Sequence, residues 1–246
     1  MRHQSLFSAL PLKKILFVIH QCLLTGLLLF LLPGCMQIRA QSTAPPPPRD
    51  DNQLWNEWQL VTPLTKKADF TIFGVMRFGR DFARPVDERI GAGISFKPNK
   101  YITLTPTYLY IAQQPFAGRK IIEHRLIANI TLKASAGKFN FTDRNLIERR
   151  VRHFSRDFTV YRNRLQIDHP ILREDWKIRA YVADETWYDS SQSVWTRNRI
   201  SAGLFRQFNQ RFYGEIFYLR QNDGRARPGN VHAIGTLFRI LLRDPP

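Results

Sequence analysis

The chain has 246 residues, with 37 lysines and arginines against 20 aspartates and glutamates, a formal net charge of +17. Its only cysteines, Cys22 and Cys35, lie within the first forty residues, so a chain shorn of that stretch forms no disulfide and no cysteine-ligated metal centre. Such a basic balance suits nucleic acid or anionic lipid headgroups, and the export features below favour the membrane surface and argue against nucleic acid.

The N-terminal segment opens on Arg2, Lys13 and Lys14 and continues into an apolar run from Ile15 to Leu32. This order predicts a cleaved export signal over residues 1–40, although the run is also long enough to span a bilayer. Two cleavage points compete. One follows Ala40. The other precedes Cys35, where Leu32-Pro33-Gly34-Cys35 approximates the signal that lipidates a cysteine. Removing residues 1–40 takes away four basic residues and no acid, which leaves +13. Residues 41–50 hold four consecutive prolines, predicted to form a stiff extended linker, and a single domain follows over residues 51–246.

Within that domain period-two alternation recurs from end to end and no stretch carries a helical period, so the predicted class is all-β. Strands are predicted over Leu54–Thr62, Asp69–Phe78, Glu88–Lys97, Tyr101–Ala112, Lys120–Leu132 and Phe139–His153, then over Phe158–His169, Trp176–Tyr188, Thr196–Gln207, Arg211–Gln221 and Val231–Leu242. Most exceed the five or six residues of a soluble strand and match the roughly 9–11 of a tilted bilayer-crossing strand. Tight connections at Pro98-Asn99, Ala134–Lys138 and Asn209-Gln210 separate longer ones at Arg80–Asp87, Gln113–Arg119, Asp189–Val194 and Asn222–Asn230. The expected architecture is an antiparallel up-and-down transmembrane-type β-barrel of about 10–12 strands. Eleven segments are counted, but a single-chain bacterial barrel with both termini periplasmic needs an even number, so ten or twelve is expected.

Alternation also predicts the faces. In Glu88–Lys97, Ile90, Ala92, Ile94 and Phe96 point outward while Arg89, Gly91, Gly93, Ser95 and Lys97 point inward; in Tyr101–Ala112 the apolar Ile102, Leu104, Tyr108 and Tyr110 oppose Thr103, Thr105 and Thr107. The central strands place Glu123 and Arg125, then Arg144, Glu148 and Arg150, then Arg162, Arg164 and Asp168 on the inner face. Arg179 and Glu185 follow, and then Arg197 and Arg199. Aromatic residues near strand ends, among them Trp55, Trp58, Tyr101, Trp176, Trp187 and Trp195, are read as interfacial girdles.

Taken together, the motifs Leu54-Trp55-Asn56-Glu57, Asp143 to Arg150, Tyr161-Arg162-Asn163-Arg164-Leu165, Asp184-Glu185-Thr186-Trp187-Tyr188 and Thr196-Arg197-Asn198-Arg199 resemble the domain of unknown function 2490 family of bacterial exported proteins, over Gln53 to Leu242. The resemblance implies an outer-membrane barrel and no particular activity. A departure is the C-terminus, where Arg243-Asp244-Pro245-Pro246 follow the last strand instead of a terminal aromatic.

Three functional readings follow. In the favoured one, the inner arginines interleave with Glu123, Glu148 and Glu185 as an ion network that plugs and stiffens the lumen, since the planar guanidinium fork matches carboxylates bidentately. On that reading Glu148→Ala destabilises the barrel far more than Asp223→Ala, because Asp223 falls in the predicted loop Asn222–Asn230. The alternative is a narrow anion-selective pore or anionic-ligand-binding barrel, because eight arginines face three glutamates, leaving Asp168 or Glu57 as further partners. The third is a lipid-modifying hydrolase using His124, which alternation places outward; His153, His169, His232 and Ser155 form no catalytic motif. No cofactor and no metal site is expected. Expected partners are outer-membrane lipid and lipopolysaccharide, the barrel-assembly machinery and a small anionic solute.

Overall fold

The computed structural model describes residues 47–153, 155–171 and 176–244. The export signal and most of the proline-rich linker lie outside the described residues. From Asp50 onward alternating side chains build eleven strands: β1 (Asp50–Thr65), β2 (Ala68–Gly79), β3 (Arg84–Phe96), β4 (Ile102–Gln113), β5 (Ile121–Ala136), β6 (Phe139–Arg152), β7 (Phe158–Pro170), β8 (Ile178–Asp189), β9 (Val194–Gln207), β10 (Phe212–Asp223) and β11 (Asn230–Leu241). The shortest have 12 residues, longer than a bilayer-crossing strand requires. Each predicted segment becomes one strand, extended at most ends because pairing with a neighbour satisfies the backbone further than side-chain alternation reveals.

The strands close into one barrel, each pairing antiparallel with its sequence neighbours. The expectation of an even count does not hold. Strands that alternate in direction leave the first and last of an odd set running the same way, and β1 accordingly pairs with β11 in parallel, from Asp50↔Asn230 to Val61↔Leu241. The two ends of the barrel wall therefore sit at opposite rims instead of at the same one. An apolar cluster packs the inside of this seam, with Trp55, Leu219, Val231 and Ala233 buried against Phe217. The Phe217 ring fills the space that a Cβ at Gly235 would occupy.

One rim, the loop rim, carries the start of β1 and the connecting residues 80–83, 114–120, 153, 155–157, 190–193 and 224–229; the other, the turn rim, carries 66–67, 97–101, 137–138, 171, 176–177 and 208–211. All the predicted tight connections fall at the turn rim and all the longer ones at the loop rim. Gly137, with φ of +58°, supplies the left-handed backbone of the two-residue turn between β5 and β6. Within the turn 208–211, Arg211 donates to the exposed Asp244 from Nε at 3.1 Å and Nη2 at 2.6 Å, and these hydrogen bonds hold the Asp244 carboxyl below its ordinary pKa.

The outer face is apolar. Ile90, Leu126, Ile147, Val182, Ile200 and Ile216 are each more than half exposed on it. Outward aromatic residues gather toward both rims, with Tyr188, Tyr161 and Trp195 in edge-to-face contact near the loop rim and Phe208, Phe212 and Phe238 in contact near the turn rim. Two residues assigned to the girdles belong elsewhere: Trp55 and Trp187 point into the lumen and are buried. Trp187 shares its parity with Glu185, so alternation already placed it inside; its bulk suggested a rim.

One polar row interrupts the apolar face. Register aligns Asn145, Asn163, Thr186, Asn198 and Asn222 directly across β6 to β10. Asn163 Nδ2 donates to Asp143 Oδ1 at 2.6 Å and Asn145 Oδ1 at 3.0 Å, Asn145 Nδ2 donates to Asp143 Oδ2 at 2.9 Å, and Asn198 Nδ2 donates to Asp184 Oδ1 at 2.6 Å. The family motifs thus encode two layers at once: apart from the exposed Arg149, their arginines face inward, and their asparagines face outward.

Candidate functional site

All eleven inner residues singled out from the sequence (Glu123, Arg125, Arg144, Glu148, Arg150, Arg162, Arg164, Arg179, Glu185, Arg197 and Arg199) lie on the lumen face. The reason is geometric. Residues two apart on a strand share a face, and antiparallel register then sets such pairs side by side across neighbouring strands.

Glu148, on the lumen face in the loop-rim half of β6, is completely shielded from solvent. Three arginines from three strands enclose it. Arg150, two residues along β6, donates from Nη2 at 2.6 Å and Nε at 2.9 Å; Arg125 of β5 donates from Nη1 at 3.3 Å; Arg162 of β7 adds a third ion pair. Arg162 also donates from Nη2 to Glu185 Oε1 at 2.6 Å, which joins β7 to β8. Glu185 in turn pairs with Arg199 at 3.3 Å and Arg144 at 3.4 Å, and Arg199 Nη2 reaches Gln221 Oε1 on β10 at 2.8 Å. On the other flank Glu123 pairs with Arg125 and accepts from Arg152 Nε at 2.6 Å. One connected network therefore runs from β5 to β10.

Its arginines also stack. Arg199 lies 4.7 Å from the ring centroids of both Trp55 and Trp187, on strands four places apart around the barrel, and Arg77 sits 3.5 Å over Trp55. A guanidinium between two indoles is attracted by both ring faces while its N–H groups remain free for carboxylates. Arg164 instead lies over the Tyr181 ring at 5.7 Å. Arg179 pairs with Asp168, one of the additional partners anticipated, whereas Glu57 accepts from Gln59 Nε2 at 2.7 Å.

Several site residues were missed. Asp87, assigned to a loop, is buried at the start of β3 and binds Arg89, Arg77 and Gln113. Asp223, also assigned to a loop, ends β10 as a buried carboxylate: it accepts from Arg197 Nε at 2.8 Å and from the backbone N–H of Arg225 and Ala226, both at 2.8 Å. The expectation that Asp223 lies in a loop is therefore corrected. Parity with Arg89 was the available signal for Asp87, and the pairing of Asp223 with Arg197 places Asp223 in the strand.

A cavity of about 480 Å³ opens at the loop rim, floored by the arginine layer, and a second of about 510 Å³ opens at the turn rim beside Arg179 and Tyr213. They share no lining residue. The histidine considered as a hydrolytic base, His124, faces outward with Nδ1 2.7 Å from the Tyr108 hydroxyl, and His232 repeats the arrangement with Tyr218 at 2.6 Å. Recurrence on β4–β5 and again on β10–β11 marks these as paired surface residues. Among the described residues no group of three or more His, Cys, Asp or Glu side chains could hold a metal.

Fold and site define a closed β-barrel with an apolar exterior and an ion-paired interior. The chain belongs to the family described as Protein of unknown function (DUF2490), whose profile matches residues 52–232. Among solved structures it is similar to an anion-selective porin from Comamonas acidovorans, at 14% identity and a TM-score of 0.36 over 72% of this chain, and it spans about half, 54%, of that protein. It is also similar to a structure described as NanC porin in a rhombohedral crystal form, at 10% identity and a TM-score of 0.42 over 76% of this chain and 96% of that one. A search of curated proteins finds no match.

Proposed function

We propose that this protein is a bacterial outer-membrane barrel whose lumen is closed and stiffened by its arginine–carboxylate network, so that it acts as a structural element of the envelope and not as an open conduit. The carrying observation is Glu148, fully shielded in the lumen and held by Arg125, Arg150 and Arg162 from three strands. The membrane setting is supported by strand length, the apolar exterior and the two aromatic girdles. Delivery follows from the predicted export signal. The partners of this reading are outer-membrane lipid, lipopolysaccharide and the barrel-assembly machinery, with turns facing the periplasm and loops the outside.

Planar-bilayer conductance of the purified barrel across a potassium-salt gradient tests closure. A barrel shown to be folded by its heat-modifiable gel mobility is expected to be electrically silent. Discrete anion-selective steps would overturn closure and make the lumen arginines selectivity determinants.

A further inference from the structure

The cavity at the loop rim carries more positive charge than the network beneath it consumes. Eleven arginines line it, against three carboxylates and no lysine. Those three are already engaged: Asp87 by Arg77 and Arg89, Asp223 by Arg197, and Asp189 by Ser191 and Gln192. Four more carboxylates, Asp51, Glu123, Glu148 and Glu185, bond to lining side chains from outside the cavity, which still leaves eleven arginines against seven acids, an excess of four. Acceptors are also short. The Nε atoms of Arg77, Arg162 and Arg199 are buried without a hydrogen-bond partner. Nearer the mouth, Arg119 and Arg225 are exposed, and their guanidiniums bond to no carboxylate among the described residues.

The geometry points to a binding site for a small soluble polyanion in this vestibule, one bearing two or more phosphate or carboxylate groups. A multiply charged ligand fits because one monovalent anion would neutralise only part of the excess, and clustered like charges repel unless countered. Oxyanions fit because the guanidinium fork bonds phosphate and carboxylate bidentately. The volume of about 480 Å³ suits a small molecule and excludes a folded protein partner. A soluble source is required: the lining side chains point into the lumen, and the barrel wall separates them from headgroups in the surrounding leaflet. Such binding needs no passage through the barrel, so it stands apart from closure. Conductance tests the latter and equilibrium binding the former.

Isothermal titration of the purified barrel in zwitterionic detergent with tripolyphosphate tests the site. Saturable binding is expected at about 50 mM salt, weakening at least about tenfold near 500 mM as the charges are screened. The double variant Arg119→Gln/Arg225→Gln, which touches no buried ion pair, is expected to weaken binding at least about tenfold while keeping the folded gel mobility. Arg211→Gln at the opposite rim is the off-site charge control and is expected to leave affinity unchanged. No saturable binding at low salt, or an equal loss in the Arg211→Gln control, would overturn the site.

Discussion

Replacing Glu148 with alanine removes the carboxylate shared by Arg125, Arg150 and Arg162 and leaves three guanidiniums crowded in the lumen wall. Arg125 retains Glu123, and Arg162 retains Glu185. Arg150 loses its nearest partner and keeps only Glu123 at 4.0 Å. Breaking a buried pair by deleting one member costs about 3–5 kcal/mol, because the remaining charge stays desolvated. The retained partners place the expected loss at the lower end, about 3 kcal/mol. Glu148→Gln, which keeps shape and one acceptor but no charge, is expected to cost less than alanine. Denaturant unfolding followed by tryptophan fluorescence is a suitable assay, since Trp187 stacks on Arg162 at 4.8 Å within the network. Lys120→Ala, at an exposed position between β4 and β5, serves as the reference substitution. A loss below about 1 kcal/mol for Glu148→Ala, within the range of an exposed ion pair, would refute the idea that this network holds the barrel.

Asp223→Ala removes one ion pair and two backbone hydrogen bonds at the end of β10, and a loss of about 1–3 kcal/mol is expected by the same unfolding assay. A neutral result would return Asp223 to the status of a loop residue. Asn163→Ala deletes two outward hydrogen bonds and leaves Asp143 with Asn145 as its remaining side-chain donor, so unfolding in lipid vesicles should register a loss of about 0.6–1.7 kcal/mol; unchanged stability would mean that water reaches this row. The Asp244 carboxyl should titrate below its ordinary value by NMR and return toward it in Arg211→Gln. Because the folded value is the depressed one, whatever stability this pair adds is present above the unfolded pKa and is lost as pH falls through the folded pKa.

The lumen face was legible because side-chain direction in a strand has a strict period of two, a local property that needs no knowledge of neighbours. Glu123, Arg125, Glu148, Arg162 and Glu185 could be assigned inward on parity alone, as could the outward His124. The same rule reached Trp187 and Asp87, but residue type drew the one to a rim and a late strand start left the other in a loop. Backbone pairing carries a strand past the point where its hydrophobic alternation fades, so Asp223 could be recognised as a strand residue only once β9 and β10 were seen to pair as far as Arg197.

Composition and alternation by themselves determined that this chain makes long strands with an apolar and a charged face, and which arginines and glutamates share the charged one. Tertiary structure alone decided the parallel closure of β1 on β11, the convergence of three arginines on Glu148, the stacking of Arg199 between Trp55 and Trp187, and the surplus of guanidiniums at the loop rim. These depend on register between strands and on closure around the barrel. Both bring together residues far apart in sequence, and neither leaves a periodic trace in any one segment.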